Sequence, residues 1–143
     1  MIKTLTSLTK SELDVISNIW LQSNLQAHKF ISPDYWIDHY NLVREMFPQS
    51  KIHVFEIENK IVGFIGLSGN YVAGIFVLEE FRSRGIGAEL LNKAKSENQN
   101  LLLNVFKKNN LAYDFYKVHG FKTINETLDK GTKEFEYLMK WVK

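Results

Sequence analysis

Residues 73–91 read AGIFVLEEFRSRGIGAELL. Ala73 to Leu78 are an apolar run of strand type, and from Ala88 the chain becomes the helix-forming series Ala88-Glu89-Leu90-Leu91-Asn92-Lys93-Ala94-Lys95. Between them stand Gly85 and Gly87, with Arg82 three residues before the first glycine. A strand, a glycine loop and a helix in this order present backbone N–H groups at a helix N-terminus, which is an anion site. The glycines let the backbone approach a pyrophosphate closely, the helix dipole favours its charge, and Arg82 and Arg84 add positive charge nearby. The loop is not a Walker loop, because no Gly-Lys-Ser/Thr follows, and it is not the dinucleotide fingerprint, because Leu90 stands where the third glycine belongs. A plain strand-to-helix turn with solvated arginines looks the same locally, so the loop alone leaves both readings open.

The flanking chain supplies the rest of the pattern. Upstream, MIKTLTSL suits a first strand, and Thr9-Lys10-Ser11-Glu12 is a capping-box signature ahead of a helix with Leu13, Ile16, Ile19 and Trp20 on one face. Ser32 and Pro33 suit the N-cap and first position of a second helix, stopped by Pro48. KIHVFEIE and IVGFIGL read as a hairpin joined by Asn59-Lys60, SGN as a turn, and YVAGIFVL as a third strand. Downstream, LLLNVF is a buried strand, and NNLAYDFYKVHG is a helix ending on Gly120. Two final strands near 121–128 and 133–142 flank Asp129-Lys130-Gly131. The predicted order is β-α-α-β-β-β-α-β-α-β-β.

A chain of 143 residues with 45% hydrophobic and 24% charged residues has the size and composition of one soluble domain, residues 1–143. Its 18 basic and 16 acidic residues leave a net charge of +2, too balanced to argue for nucleic acid as a partner. Absence of cysteine excludes disulfides, thiolate metal sites and a cysteine nucleophile. The N-terminus lacks a continuous apolar stretch of signal-peptide type, and no apolar run approaches the roughly 20 residues that span a bilayer, so no membrane association and a cytoplasmic location are expected. Four histidines, at 28, 39, 53 and 119, show no metal-ligand spacing, and no metal is expected.

With a second element added, the sequence resembles the GNAT superfamily of acyl-CoA-dependent N-acyltransferases. Their phosphate-loop signature, Arg/Gln-x-x-Gly-x-Gly/Ala, is met by Arg82, Gly85 and Gly87. Their second pattern, Asn-x-x-Ala-x-x-Phe-Tyr-x-x-x-Gly-Phe, is met by Asn109, Ala112, Phe115, Tyr116, Gly120 and Phe121. The N-terminal IWLQSNLQAHKFISPDYWIDHY is similar to a subgroup of small bacterial members, some of which acetylate protein lysines. The resemblance implies an α+β, three-layer GNAT fold: a mixed central sheet flanked by helices, with acetyl-CoA in a splay between two central strands. It also implies direct acetyl transfer to a primary amine, a protein or peptide lysine or N-terminus being favoured. Small-molecule amine acetylation and a non-catalytic acyl-CoA-binding module remain as alternatives, and either a monomer or a homodimer fits.

Carried onto this sequence, the loop Arg82, Ser83, Arg84, Gly85, Ile86, Gly87 and Ala88 would hold the CoA pyrophosphate. Ile75, Phe76 and Val77 would pair with the pantetheine amides, with a backbone N–H of Phe76 or its neighbour on the thioester oxygen. Asn109 would bond the pantetheine arm, though N-capping of its helix is the plainer reading. Tyr116 would serve the sulfur as general acid, against the plainer reading of a packed tyrosine on a face with Ala112, Phe115 and His119. Gly74 marks either a bulge or a close packing contact. His28 and Tyr71 are candidates for the acceptor pocket, where Phe30, Tyr35, Trp36 and Tyr40 could form a wall.

The base is where the chain departs from many relatives. They carry glutamate in a Leu-Glu-Val strand, whereas here the context is Leu103-Asn104-Val105. Asn104 can orient the amine or a water but cannot take a proton. A lysine of pKa ~10.4 is only about 0.1% neutral near pH 7.4, so the sequence, with no other carboxylate obviously placed, predicts a kcat/KM that climbs beyond pH ~8.

Overall fold

The computed structural model describes residues 1–143. Strand β1 (Ile2–Leu5) leads into α1 (Lys10–Ala27) and α2 (Pro33–Met46), followed by β2 (Lys51–Ile57), β3 (Lys60–Ser68) and β4 (Tyr71–Val77). Then come α3 (Ile86–Ser96), β5 (Asn100–Phe106), α4 (Asn110–Val118), β6 (Lys122–Asp129) and β7 (Glu134–Val142). The order is the predicted one.

Local chemistry sets most boundaries. Thr9 Oγ1 accepts the Glu12 N–H while Glu12 Oε1 accepts the Thr9 N–H, so α1 starts on a complete capping box. Ser32 makes no side-chain cap, and α2 starts on Pro33 alone, whose fixed φ suits the first turn. At the end of α4, Gly120 takes φ 92°, Phe121 N–H returns to Tyr116 O and Gly120 N–H to Lys117 O. This Schellman closure ties Phe121, and with it the start of β6, to the turn that carries Tyr116. The β2–β3 turn differs from expectation by one residue. Its central pair is Glu58-Asn59, at φ 50° and 65°, and Lys60 already pairs with Ile57. Two positive φ values make a mirror-image turn, which matches the twist of the strands it joins.

The seven strands form one sheet in the order β1-β2-β3-β4-β5-β7-β6. Every neighbouring pair is antiparallel except β4 and β5. Helices α1 and α2 cover one face, where Ile16, Ile19, Trp20 and Trp36 pack on Ile52, Val54 and Phe64. Helices α3 and α4 cover the other, where Leu90, Leu91, Ala94 and Tyr116 pack on Ile65, Leu67, Leu101, Leu103 and Met139. Both faces of the central strands are therefore buried, and the chain has three layers.

The parallel seam is short. Only Tyr71↔Leu102 and Val72↔Leu103 pair before β4 and β5 diverge. The cause lies in β4, where Gly66 pairs with Gly74 but Leu67 with Val72, leaving Ala73 as an extra residue. Such a bulge bends its strand and sharpens the twist. Gly74, beside it, is covered by the Phe76 ring, which a Cβ at position 74 would meet. Both readings of Gly74 thus describe it.

Candidate active site

The divergence of β4 and β5 opens a cleft of about 930 Å³, lined by residues from both strands, α1, α2, α4 and the loop into α3. Along its β4 wall the sheet leaves alternate backbone N–H groups free. Leu78 N–H goes to Val62 O, and the register continues through Phe64↔Phe76. Antiparallel ladders alternate, so Phe76 exchanges bonds with β3 while Ile75 and Val77 turn their N–H and C=O groups to the cleft. Of the alternatives expected, Phe76 or its neighbour, the register favours the neighbours: the Phe76 backbone is used inside the sheet, its ring packs on Phe64 at 5.3 Å, and the free donors belong to Ile75 and Val77.

At the open end of the cleft, Ser83 (φ 63°) and Gly85 (φ 79°) turn the chain sharply into α3. Gly85 is the N-cap, and the first intrahelical bond runs from Glu89 N–H to Gly85 O at 3.0 Å. The N–H groups of Ile86, Gly87 and Ala88 thus have no partner within the helix. Arg82 braces this turn from outside: its Nε donates to Val77 O at 3.0 Å and its Nη2 to Gln26 Oε1 at 2.9 Å. Arg84 donates to Glu80 O and lies 5.3 Å from the Phe81 ring centre. Both guanidinium groups therefore fix the loop as well as adding charge to it.

At the closed end, Tyr71, Asn104 and Tyr116 line the cleft together. Asn104 Nδ2 donates to the Tyr71 hydroxyl at 2.7 Å, so the amide that stands in place of glutamate orients a phenol. Tyr116 is buried between Phe115 and Phe121, at ring separations of 5.4 and 5.5 Å. Burial first, and then the neighbouring Tyr71, push its hydroxyl well above the ordinary phenol range. No hydrogen bond to the protein offsets that shift.

His28 lines the same cleft as Tyr71 and is held there by a chain of hydrogen bonds. Asn24 Nδ2 donates to Trp20 O at 2.9 Å, His28 Nδ1 lies 3.0 Å from Asn24 Oδ1, and Asn109 Nδ2 lies 3.0 Å from His28 Nε2. The one consistent proton assignment makes Nδ1 the donor and Nε2 the acceptor. Asn109 also caps α4, its Oδ1 taking the Ala112 N–H at 3.2 Å. The ring is stacked on Trp36 at 5.3 Å and edged by Phe106 at 5.0 Å. Burial pushes the imidazole down to about 4. His28 lines the cleft, but as a neutral link between α1 and α4, and it is a poor base near neutrality.

That shift has a sign. A histidine depressed to about 4 in the fold, against 6.5 unfolded, contributes stability above pH 6.5 that is lost as pH falls towards 4. The loss reaches on the order of 3 kcal/mol. His28→Gln should abolish that part of the acid sensitivity, measured as the difference in urea unfolding free energy between pH 7 and pH 4.5.

Comparison with known proteins meets this geometry. The family model described as an acetyltransferase (GNAT) domain matches residues 48–123, more than half of the chain, including the glycine loop, the splayed strands and α4. The chain belongs to the GNAT acetyltransferase family. It is 32% identical over 134 residues to the peptidyl-lysine N-acetyltransferase YiaC of Escherichia coli K12, covering 92% of each chain. It is 35% identical over 105 residues to the peptidyl-lysine N-acetyltransferase YjaB of the same organism, covering 73% of this chain and 71% of the relative. The solution structure of apo YjaB superimposes with a TM-score of 0.85 at 28% identity, over 99% and 98% of the two chains. The chain is thus an acetyl-CoA-dependent N-acetyltransferase.

In this GNAT chain the two sides of the cleft differ. The α3/α4 side carries the helix N-terminus and Tyr116, and the α1/α2 side carries Tyr35, Trp36, Asp129 and Glu136. Glu136 has no counterpart in the sequence reading. It is half-buried, and burial followed by Asp129 raises its carboxyl above the ordinary range. Its signal was present only as alternation along β7, where Glu134, Glu136 and Leu138 share a face. No helix is long and apolar enough to cross a membrane, and no three His, Asp or Glu side chains gather as a metal site would require.

Proposed function

We propose that this enzyme acetylates the side-chain amine of lysine in proteins or peptides, by direct transfer through a tetrahedral intermediate. The observation that carries this reading is the 32% identity, spread over 92% of both chains, with a peptidyl-lysine N-acetyltransferase, a span that includes the α1–α2 region walling the acceptor side. In this reading the N–H groups of Ile86, Gly87 and Ala88 take the pyrophosphate, as a helix N-terminus does. Val77 pairs with the pantetheine arm as an added strand would. Ile75 N–H, nearer the closed end, holds the thioester oxygen and the oxyanion that forms from it. Asn109, oriented by His28, closes the other side of the arm. Tyr116 hydrogen-bonds the sulfur as charge grows on it. The cytoplasm, where acetyl-CoA and newly made protein coexist, is the compartment that suits this reaction.

A small amine as acceptor uses the same machinery, and a binding module without turnover would need only the loop. Against the latter stands the unengaged Tyr116 hydroxyl at the closed end. The deciding experiment is CoA release with N-terminally blocked lysine peptides, with peptides whose only amine is the N-terminus, and with polyamines and amino acids. Turnover confined to small amines would overturn the lysine reading, and no turnover with any amine would favour the module.

A further inference from the structure

We propose that Glu136 is the residue that receives the charged acceptor amine and takes its proton. The inference deepens the functional reading above and rests on an amine entering from the α1/α2 side.

Its placement comes from the sheet. Phe106 lies opposite Glu136 and Asn104 opposite Leu138 in the β5–β7 ladder. Residues opposite each other project to the same face, and diagonal neighbours lie roughly 7–8 Å apart. Glu136 therefore emerges one step from Asn104, on the face away from α3 and Tyr116. It lines the cleft with Tyr35, Trp36 and Asp129. A carboxylate at this point reaches towards the position of the missing family glutamate from a different strand.

Glu136 also lacks what its neighbours have. Glu134 pairs with Lys108 at 3.1 Å, Glu126 pairs with Lys107 at 3.3 Å, and Asp129 accepts the backbone N–H and hydroxyl of Thr132. Neither a cation nor a hydrogen-bond donor of the chain meets Glu136; its carboxyl is governed by burial and by Asp129. A half-buried anion without a partner is costly unless a ligand supplies one. The same cleft holds two further unpartnered polar atoms, Ser23 Oγ and Trp36 Nε1, on side chains only 6% and 7% exposed. Trp36 packs against Tyr35 at 4.9 Å. An ammonium to meet the carboxylate is what a lysine side chain brings.

The groups around Glu136 favour proton uptake. From β6, Asp129 adds negative charge. From α2, Tyr35 faces both carboxylates, and His39 lies against Tyr35 at 4.2 Å. From α1, His28 is neutral and engaged. The cations on this face of the sheet are Lys108, held by Glu134, and, four residues along β7, Lys140 with Lys122 opposite it on β6.

In the step itself, an N–H bond of the ammonium breaks and its proton goes to a Glu136 oxygen. The freed electron pair attacks the thioester carbonyl carbon. The C–S bond then breaks with its pair on sulfur, which takes a second proton from the nitrogen, and Glu136 returns the first to solvent. One proton is released per acetyl group transferred. With such a base, kcat/KM is level from about pH 7 to pH 9, because over that range the acceptor stays almost entirely ammonium, the form that gives its proton to Glu136. This replaces the continuing rise that the sequence alone predicts.

The test compares wild type with Glu136→Gln and Glu136→Asp, using kcat/KM from pH 6 to 10 and acetyl-CoA affinity by calorimetry. Wild-type turnover of a blocked lysine peptide reports on the lysine reading by itself. The mutant ratio, taken on whichever amine the wild type acetylates, reports on Glu136. Glu136→Gln should lose about 10²–10⁴-fold at pH 7, recover tenfold per pH unit towards the amine's own pKa, and keep its acetyl-CoA affinity. It should fold with an unchanged or higher Tm at pH 7.5, since no partner is lost. Glu136→Asp should be slower but keep the level profile, which tests the proposal even if the glutamine variant folds poorly. A Glu136→Gln profile that coincides with wild type, a loss equal at every pH, or a parallel loss of acetyl-CoA affinity would each overturn it.

Discussion

Tyr116→Phe is expected to lower kcat by about 10²–10⁴-fold while leaving acetyl-CoA affinity and folding almost unchanged. The split follows from where the hydroxyl stands. The ring is core, packed by Phe115 and Phe121, and phenylalanine keeps that packing. The hydroxyl bonds to no protein group, so its removal strands no buried partner and costs little stability. What disappears is a donor needed when sulfur becomes charged. Full proton transfer from it is unfavourable: an ordinary phenol near ~10 is already ~1.5 units, or about 2 kcal/mol, above a thiol near ~8.5. Burial beside Tyr71 widens that gap. In the mechanism proposed above, Tyr116 therefore acts by holding the developing thiolate, and the proton comes from the nitrogen of the collapsing intermediate. Steady-state kinetics, calorimetry and thermal melting together check the pattern. A mutant with wild-type kcat would leave Tyr116 as packing alone.

Gly85→Glu should weaken CoA binding by at least about 10²-fold in a protein that still folds. Nothing lies within 4 Å of a Cβ built on Gly85, so the chain has room for a side chain. The left-handed φ of 79° imposes strain of about 1–2 kcal/mol on any L residue there. A carboxylate at a helix N-terminus gives part of this back, typically 0.3–1 kcal/mol. Against pyrophosphate the same carboxylate is severe: like charges 4 Å apart at an effective dielectric near 20 repel by about 4 kcal/mol, close to 10³-fold in affinity. Gly85→Ala carries the strain without the charge and separates the two effects. Calorimetric titration of CoA into both variants, with circular dichroism as the folding control, decides it. Unchanged affinity in Gly85→Glu would move the pyrophosphate away from this loop.

The element order was legible because this chain marks its boundaries by local chemistry. The Thr9–Glu12 box, Pro33, Pro48 and Gly120 each act within a few residues. The glycine loop that opens α3 and the helix that carries Tyr116 were legible for a similar reason, since each belongs to one contiguous motif. What escaped depends on register. Whether Phe76 or its neighbours offer a free N–H is decided by which pairs across β3 exchange bonds, and the β2–β3 turn slipped by one residue because two positive φ values fell on Glu58 and Asn59. His28 was visible as a lone histidine, but its role is written in Asn24 and Asn109, one of them 81 residues away. Glu136 was hidden most completely. Only the antiparallel return of β7 along β5 brings it next to Asn104, and composition carries no trace of that pairing.

The short seam between β4 and β5 has a mechanical meaning. The sheet consists of two blocks, β1 to β4 and β5 to β7, stitched edge to edge by two residue pairs. Each block presents a raw strand margin to the gap, and aggregation through such margins is the usual hazard of an open edge. Here the two margins face each other across the cleft. An extended pantetheine, carrying amides at peptide-like intervals, is slim enough to enter and to bond the β4 margin. In the binding mode proposed above, the cosubstrate would work as a keystone between the two blocks as well as a reagent.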